Sequence, residues 1–172
     1  MKNLSNIVGF QVAWWACMLG AANGLPYIGP VVMAVYLIAH YYWISVDRNE
    51  VKLIIIFTVF GTFVDSLLIL SGSITYMGYY VPGLVIAPLW ITAMWSGFTS
   101  TVNHSMAWLK DRWVLAFFLG IIFGPLSYMT GLKFGAIQFN TSLLNLLIIL
   151  AIIWGISIPF IYHVNRRLRV GT

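Results

Sequence analysis

The residue with the clearest chemical potential is Asp65, which interrupts an almost unbroken apolar run between Val51 and Ser71. The other three acidic residues stand in short charged clusters between apolar runs. A carboxylate placed in the hydrocarbon of a bilayer costs several kcal/mol, so such residues face a protein interior or a watery cavity. Asp65 is therefore a candidate for binding a polar ligand or a proton.

Small and polar side chains recur at helical spacing on this run and on the next long apolar run. Residues three or four apart share one face of a helix, so each set forms a stripe. The two stripes are predicted to line a shared interior. They contain Thr58, Gly61, Thr62 and Asp65 on the first run, with Ser66 beside them, and Thr92, Ser96, either Thr99 or Ser100, and Asn103 on the second, with His104 following.

Depth divides these side chains into two predicted polar clusters, because a helix rises about 1.5 Å per residue. Asp65 lies in one half of the bilayer, and His104 lies at the opposite end of its own helix. We expect a ligand-binding cluster around Asp65 that includes Thr62, Ser66, Trp90, Thr92 and Ser127. A second cluster is expected around His40, Asn103 and His104. The separation disfavours a direct acid–base pair between Asp65 and His104.

The histidines and the cysteine are too scattered to form a metal-binding signature. The chain has three histidines and one cysteine, Cys17, which lies within the first apolar run and reads as a small core residue. An isolated histidine near a helix end is more often a hydrogen-bonding residue than a ligand or a proton carrier. No metal and no cofactor are predicted.

Composition defines the elements that must position these residues. Of the 172 residues, 61% are hydrophobic and 8% are charged, which is typical of an integral membrane protein with a single domain. The formal net charge is +5, but the basic residues separate apolar runs instead of forming a patch. This distribution excludes a nucleic-acid partner and indicates membrane lipids as the surroundings.

Six apolar runs have the length of about 20 residues that a membrane-spanning helix requires. The predicted fold is therefore all-α, a bundle of six transmembrane helices. The first run is predicted to be a retained helix and not a cleaved signal peptide, because Gln11, Trp14 and Trp15 interrupt it. The predicted spans are about 6–22, 28–45, 51–71, 84–109, 113–129 and 141–163.

The basic residues also predict the orientation of the bundle. With six spans, a cytoplasmic N-terminus leaves Lys133 as the single basic residue outside, and the opposite orientation reverses the distribution. The positive-inside rule therefore places both termini in the cytoplasm. The residues placed inside are Lys2, Arg48, Lys52, Lys110, Arg112, Arg166, Arg167 and Arg169.

Several short motifs occur together along the chain, namely Gly24-Leu25-Pro26, Asp65-Ser66-Leu67-Leu68, Ala87-Pro88-Leu89-Trp90, Asn103-His104-Ser105 and Gly124-Pro125-Leu126-Ser127-Tyr128. In combination they resemble a family of small, multi-pass bacterial inner-membrane proteins that is catalogued only as a domain of unknown function. The resemblance covers nearly the whole chain. It implies a bacterial cytoplasmic membrane and suggests a role connected with lipids, and it supplies no site residues.

The sequence favours one function and leaves two alternatives open. The leading hypothesis is binding or transport of a lipid-like or small amphipathic molecule at an interior site anchored by Asp65. One alternative is an intramembrane enzyme of lipid or fatty-acid modification that uses Asp65 or His104 as acid or base. The other is a noncatalytic subunit for a membrane or enzyme partner, which predicts an exposed small-residue face such as Gly120 to Gly124.

Overall fold

The computed structural model describes residues 2–45, 47–79, 85–168 and 170, and it contains six α-helices in this part of the chain. The helices are α1 (Lys2–Ala22), α2 (Ile28–Ala39), α3 (Arg48–Leu70), α4 (Leu89–Thr99), α5 (Trp113–Lys133) and α6 (Leu143–Leu168). A π-helical segment, His40–Ile44, continues α2, and a short 3₁₀ turn, Ala107–Leu109, precedes α5.

The helical class predicted from the sequence is confirmed. Four helices, α1, α3, α5 and α6, are long and apolar enough to cross a membrane, and α2 with its continuation forms a shorter apolar helix. Large apolar side chains are exposed on their outer faces, as Val59 (66% exposed) and Val114 (71%) illustrate. A surface of this kind is stable in lipid and not in water.

The fourth predicted helix is much shorter than expected. We predicted residues 84–109, but α4 has 11 residues, about 16 Å, and ends at Thr99. The hydroxyls of Ser100 and Thr101 bond back to the carbonyls of Gly97 and Phe98, and the chain then continues in turns. Side-chain bonds to nearby carbonyls compete with the helical ladder, which explains the early end.

The turns after α4 still carry the chain to the far end of the bundle. Ala87, just before α4, donates its N–H to Ser66 near the end of α3, whereas His104 contacts Glu50 in the first turn of α3. Irregular backbone is tolerated at membrane depth where protein surrounds it, and Ser100, Thr101 and Val102 are all buried. Together, α4 and this segment therefore extend from one end of the bundle to the other, a distance that α4 alone is too short to cover.

The tyrosine-rich connection after α3 forms part of a small sheet, which the sequence did not predict. Strand β1 (Ile74–Tyr76) pairs antiparallel with β2 (Ile137–Phe139), and Ile74 lies opposite Phe139. Tyr76 in this connection is fully buried. Tyr79 is partly buried, and Tyr80 lies outside the described residues.

Helices α5 and α6 pack at very short range. A Cβ atom on Gly120 would lie 2.2 Å from the carbonyl oxygen of Trp154, and one on Gly124 would lie 2.3 Å from the Trp154 ring. Glycines at this spacing let two helix backbones approach closely. The small-residue face that a partner subunit would need is therefore already covered by α6.

The two ends of the bundle differ in charge. The end that we call the basic end contains the start of α1 at Lys2, the start of α3 at Arg48 and the end of α6. Two contacts lie there, one from Lys2 Nζ to the carbonyl of Ile44 in the π-helical segment and one from Arg166 of α6 to Asp111 before α5, at 3.3 Å. The opposite end, which we call the ladder end, contains β1 and β2. Lys133 is the one basic residue at the ladder end in the described part of the chain.

Candidate functional site

Asp65 lies at the centre of a buried set of hydrogen bonds and has no exposed surface. Its Oδ1 accepts hydrogen bonds from the hydroxyls of Tyr76 and of Tyr128, the latter at 2.6 Å. Its Oδ2 accepts one from the indole nitrogen of Trp95, also at 2.6 Å. Three donors from three separate elements therefore converge on one carboxylate, which satisfies most of its acceptor capacity.

Local sequence explains how these donors reach Asp65. Gly61 lies one turn before Asp65 and has no side chain. A Cβ atom added to it would lie 1.9 Å from the Trp95 ring, so the ring occupies the space that a larger residue would need. Strand β1 delivers Tyr76 from the ladder end, and α5 supplies Tyr128 just after Pro125. The glycine is a requirement of the site, because the indole must lie flat on α3 to reach the carboxylate.

A cavity of about 370 Å³ lies beside Asp65, between α1, α4, α5 and α6. This volume is within the range of about 300–1,000 Å³ that is typical of small-molecule sites. Aromatic and aliphatic side chains form most of the wall, and Trp95 and Trp154 stack with ring centres 4.6 Å apart. Gln11, Phe123 and Leu126 line the cavity and are exposed, so its mouth opens on the lipid-facing surface.

Two polar groups of this wall have unused hydrogen-bonding capacity. The indole nitrogen of Trp154 is buried and makes no hydrogen bond of normal geometry. Gln11 lies near the middle of α1, where its amide is exposed at the cavity mouth. An amide without a partner in apolar surroundings costs free energy, so Gln11 favours a polar atom of a bound molecule, whereas the Trp154 nitrogen is enclosed by protein.

The residues predicted around Asp65 divide into two groups. Trp90 and Ser127 line the cavity with Asp65, whereas Thr62, Ser66 and Thr92 do not. The latter three hold α3 to the chain around α4: Thr62 and Thr92 share a hydrogen bond of 2.9 Å, and Ser66 accepts the Ala87 N–H.

Trp90 and Ser127 also have protein partners. Trp90 donates its indole N–H to the carbonyl of Met77, and Ser127 donates to the carbonyl of Gly124. Both side chains therefore serve mainly as part of the cavity wall, because their polar hydrogens are already donated to backbone carbonyls.

At the basic end, the structure brings His40 and His104 together. Their rings pack edge to face with centres 4.9 Å apart, and both face Glu50. Glu50 is 2% exposed, so it is a second buried carboxylate. We had counted it among the acidic residues of the short charged clusters between apolar runs. The burial is not evident from the sequence, because the first turn of a helix normally exposes an acidic side chain to water.

Asn103 lies apart from the two histidines. It exchanges two hydrogen bonds with Asn165 of α6, at 3.1 and 2.7 Å, and so ties the turn after α4 to the end of α6. The polar residue that does contact His40 is Asn6 of α1, with 3.3 Å between Asn6 Nδ2 and His40 Nδ1. Asn6 is fully buried, and a lone asparagine close to basic residues gave no signal in the sequence.

The two polar clusters are far apart. Glu50 and Asp65 are separated by 15 residues of α3, or about 22 Å along the helix. Asp65 and His104 are therefore too far apart to act together as an acid–base pair.

Comparison with known proteins identifies a family without an assigned activity. Searches of curated proteins and of solved structures found no match. A family model described as "Protein of unknown function (DUF2878)" matches residues 3–160, which is most of the chain. The resemblance noted from the sequence motifs is confirmed, and the chain belongs to the DUF2878 family.

Proposed function

We propose that this protein binds a lipid-like or small amphipathic molecule in the cavity beside Asp65, either to retain it or to move it across the bilayer. The cavity itself carries the proposal, since it combines an apolar wall, a lipid-facing mouth and a few polar groups. A molecule dissolved in the membrane reaches such a site laterally, without passing through water.

In this proposal Asp65 is part of the cavity wall and holds its neighbours in place. Its carboxylate oxygens are already engaged by Tyr76, Tyr128 and Trp95, and two of these residues, Tyr128 and Trp95, form the cavity surface. The carboxylate fixes the orientation of both rings. The polar anchor for the ligand is then supplied by Gln11, whose amide favours a neutral molecule with a hydrogen-bonding group such as a carbonyl.

Mass spectrometry of molecules that copurify in mild detergent tests the proposal. We expect one non-bulk lipid or amphipathic species with the wild type, and at least a tenfold loss of it in Ser127→Phe, because the new ring fills the cavity. Gln11→Leu keeps the size of the side chain and removes the amide, so a partial loss is expected. Gln11 is exposed, and this substitution therefore leaves the packed interior intact.

The control is Val59→Phe, which adds the same ring to a lipid-facing position outside the cavity. This variant should retain the species at the wild-type level. Equal recovery of the same species from Ser127→Phe and Val59→Phe would contradict the proposal, as would recovery of bulk phospholipid alone from every sample.

We further propose that the chain crosses a bacterial cytoplasmic membrane six times, with the basic end in the cytoplasm. The charge difference between the two ends supports this orientation through the positive-inside rule. The half-length helix α4 and the turns that follow it complete the fourth crossing inside the bundle. Both termini then lie on the cytoplasmic side.

Cysteine labelling tests the orientation. In a Cys17→Ala background, Lys133→Cys should react with a membrane-impermeant maleimide on intact cells, because Lys133 is exposed at the ladder end. Lys110→Cys, exposed at the basic end, should react only after the cells are permeabilised. The reverse pattern would show that the orientation is inverted.

A further inference from the structure

His40, Glu50 and His104 come from three different elements and meet at one point inside the basic end. His40 begins the π-helical segment, Glu50 lies in the first turn of α3, and His104 lies in the turns after α4. His104 Nε2 is 2.9 Å from Glu50 Oε1, and His40 Nε2 is 3.7 Å from Glu50 Oε2. One ligand atom from each residue lies within 4.8 Å of the other two.

These distances match the spacing of ligands around a small divalent ion. Zn²⁺ binds imidazole nitrogen and carboxylate oxygen at about 2.0–2.2 Å, which places tetrahedral ligands about 3.3 Å from one another. The two nitrogen–oxygen distances, 3.7 and 2.9 Å, lie on either side of that value, and all three ligand atoms lie within 4.8 Å of one another, so the side chains have to draw together around an ion. Two imidazoles and one carboxylate suit zinc and other first-row transition metals.

A second observation points to a missing partner. His40 is 3% exposed, and among the described residues its buried Nε2 has no hydrogen-bond partner, with Glu50 Oε2 3.7 Å away. Buried polar atoms are almost always paired, and an exception needs an explanation. An ion between His40 and Glu50 supplies the partner that the nitrogen lacks.

Charge balance at this point also favours a cation. Within the described part of the chain, the ion-pair partners of Glu50 are the two histidines, and no lysine or arginine reaches it. A buried carboxylate is stable only when it is paired or coordinates a metal. A divalent ion neutralises Glu50 while both imidazoles remain uncharged ligands.

An ion on His40 Nε2 changes the role of the opposite ring nitrogen. The Oδ1 of Asn6 accepts the Ser105 N–H, which fixes the orientation of its amide. Asn6 Nδ2 therefore faces His40 Nδ1 at 3.3 Å, and it also reaches the Tyr36 hydroxyl at 2.9 Å and the Ser100 carbonyl at 3.2 Å. Ion binding at Nε2 requires the ring hydrogen on Nδ1, so it gives up the Asn6–His40 bond, which is the longest of the three, while the two hydrogens of Nδ2 remain bonded to Tyr36 and Ser100.

From these observations we propose that His40, Glu50 and His104 bind one divalent transition-metal ion, for which Zn²⁺ is the probe. The His104 side chain is 15% exposed, and it marks the side from which the ion enters. Three protein ligands leave one position of a tetrahedral ion for water or another small ligand. The site is about 22 Å from Asp65 along α3, so the proposal does not depend on the cavity ligand.

Metal titration tests the proposal with protein that carries no histidine tag and has been treated with a chelator. We expect one Zn²⁺ per chain by elemental mass spectrometry after reloading, and a rise in the unfolding temperature on Zn²⁺ addition, because an ion that binds the folded state stabilises it. His40→Ala and His104→Ala should each weaken Zn²⁺ binding by at least about tenfold in competition with a chromophoric chelator.

The matched control is His163→Ala, which removes the third histidine of the chain. His163 is exposed near the end of α6, so its loss should leave both the stoichiometry and the thermal shift unchanged. If the more buried His40→Ala variant fails to fold, the partly exposed His104 provides the deciding variant. Absence of Zn²⁺ from reloaded wild type, or equal Zn²⁺ affinity in wild type and His104→Ala, would overturn the proposal.

Discussion

Asp65→Ala is expected to lower the free energy of unfolding by about 3–5 kcal/mol, the range measured when one partner of a buried charged network is removed. The substitution leaves the donors of Tyr76, Tyr128 and Trp95 without an acceptor in a region from which water is excluded. It also opens a space beside the stacked ring of Trp154. Thermal unfolding in detergent, followed by circular dichroism, measures the change.

Two further variants test whether the loss of stability comes from the hydrogen bonds to Asp65 or from a change anywhere on α3. Asp65→Asn keeps the shape and one oxygen, but its amide hydrogens face donors, so the loss should be smaller than for alanine and still clear. Thr58→Ala removes from the same helix a hydroxyl that bonds only to the Ile54 carbonyl one turn earlier. It should change stability by less than about 0.5 kcal/mol. Equal stability of Asp65→Ala and Thr58→Ala would contradict the network.

Gly120→Ala should produce the second large effect, a loss of about 1–3 kcal/mol or more. The new methyl group would lie 2.2 Å from the Trp154 carbonyl oxygen and 2.6 Å from its carbon, both of which belong to the backbone. Backbone atoms do not rotate out of the way, so α5 and α6 have to separate. The separation should appear as a lower unfolding temperature in the same detergent assay.

The same interface offers a control. Gly155 lies on α6 in the same contact, and a Cβ there would first meet the Ile121 side chain at 3.0 Å. Side-chain atoms can shift by a few tenths of an ångström, and Ala gains helix propensity equally at both positions. Gly155→Ala should therefore leave the stability nearly unchanged. An equal loss of stability in Gly120→Ala and Gly155→Ala would show that the backbone contact at Gly120 is not the cause of the loss.

The helices could be predicted from the sequence because each one depends on a local pattern. An apolar run of about 20 residues bounded by glycine, proline or charge identifies a membrane helix without knowledge of its neighbours. This information was sufficient for α1, α3, α5 and α6. It failed for α4, where Ser100 and Thr101 look like the polar face of a continuing helix and instead end it through bonds to their own backbone.

The partners of the candidate sites could not be predicted, because they depend on pairings between distant segments. Asp65 was identified as a buried carboxylate, but its contact with Tyr76 requires β1 to pair with a strand more than sixty residues away. Glu50 was missed for the same reason. Its charge resembles that of a surface residue until α2 and the turns after α4 bring His40 and His104 over it.

The β1–β2 ladder gives the bundle an uneven resistance to opening. It joins the connection that follows α3 to the connection between α5 and α6, so these segments are tied together at the ladder end. The hairpin of α1 and α2 has no strand in the ladder, and at the basic end Asn6 holds it to Ser100 and Ser105. The ladder therefore stiffens the part of the bundle formed by α3, α5 and α6, whereas the hairpin is attached to it through side-chain contacts.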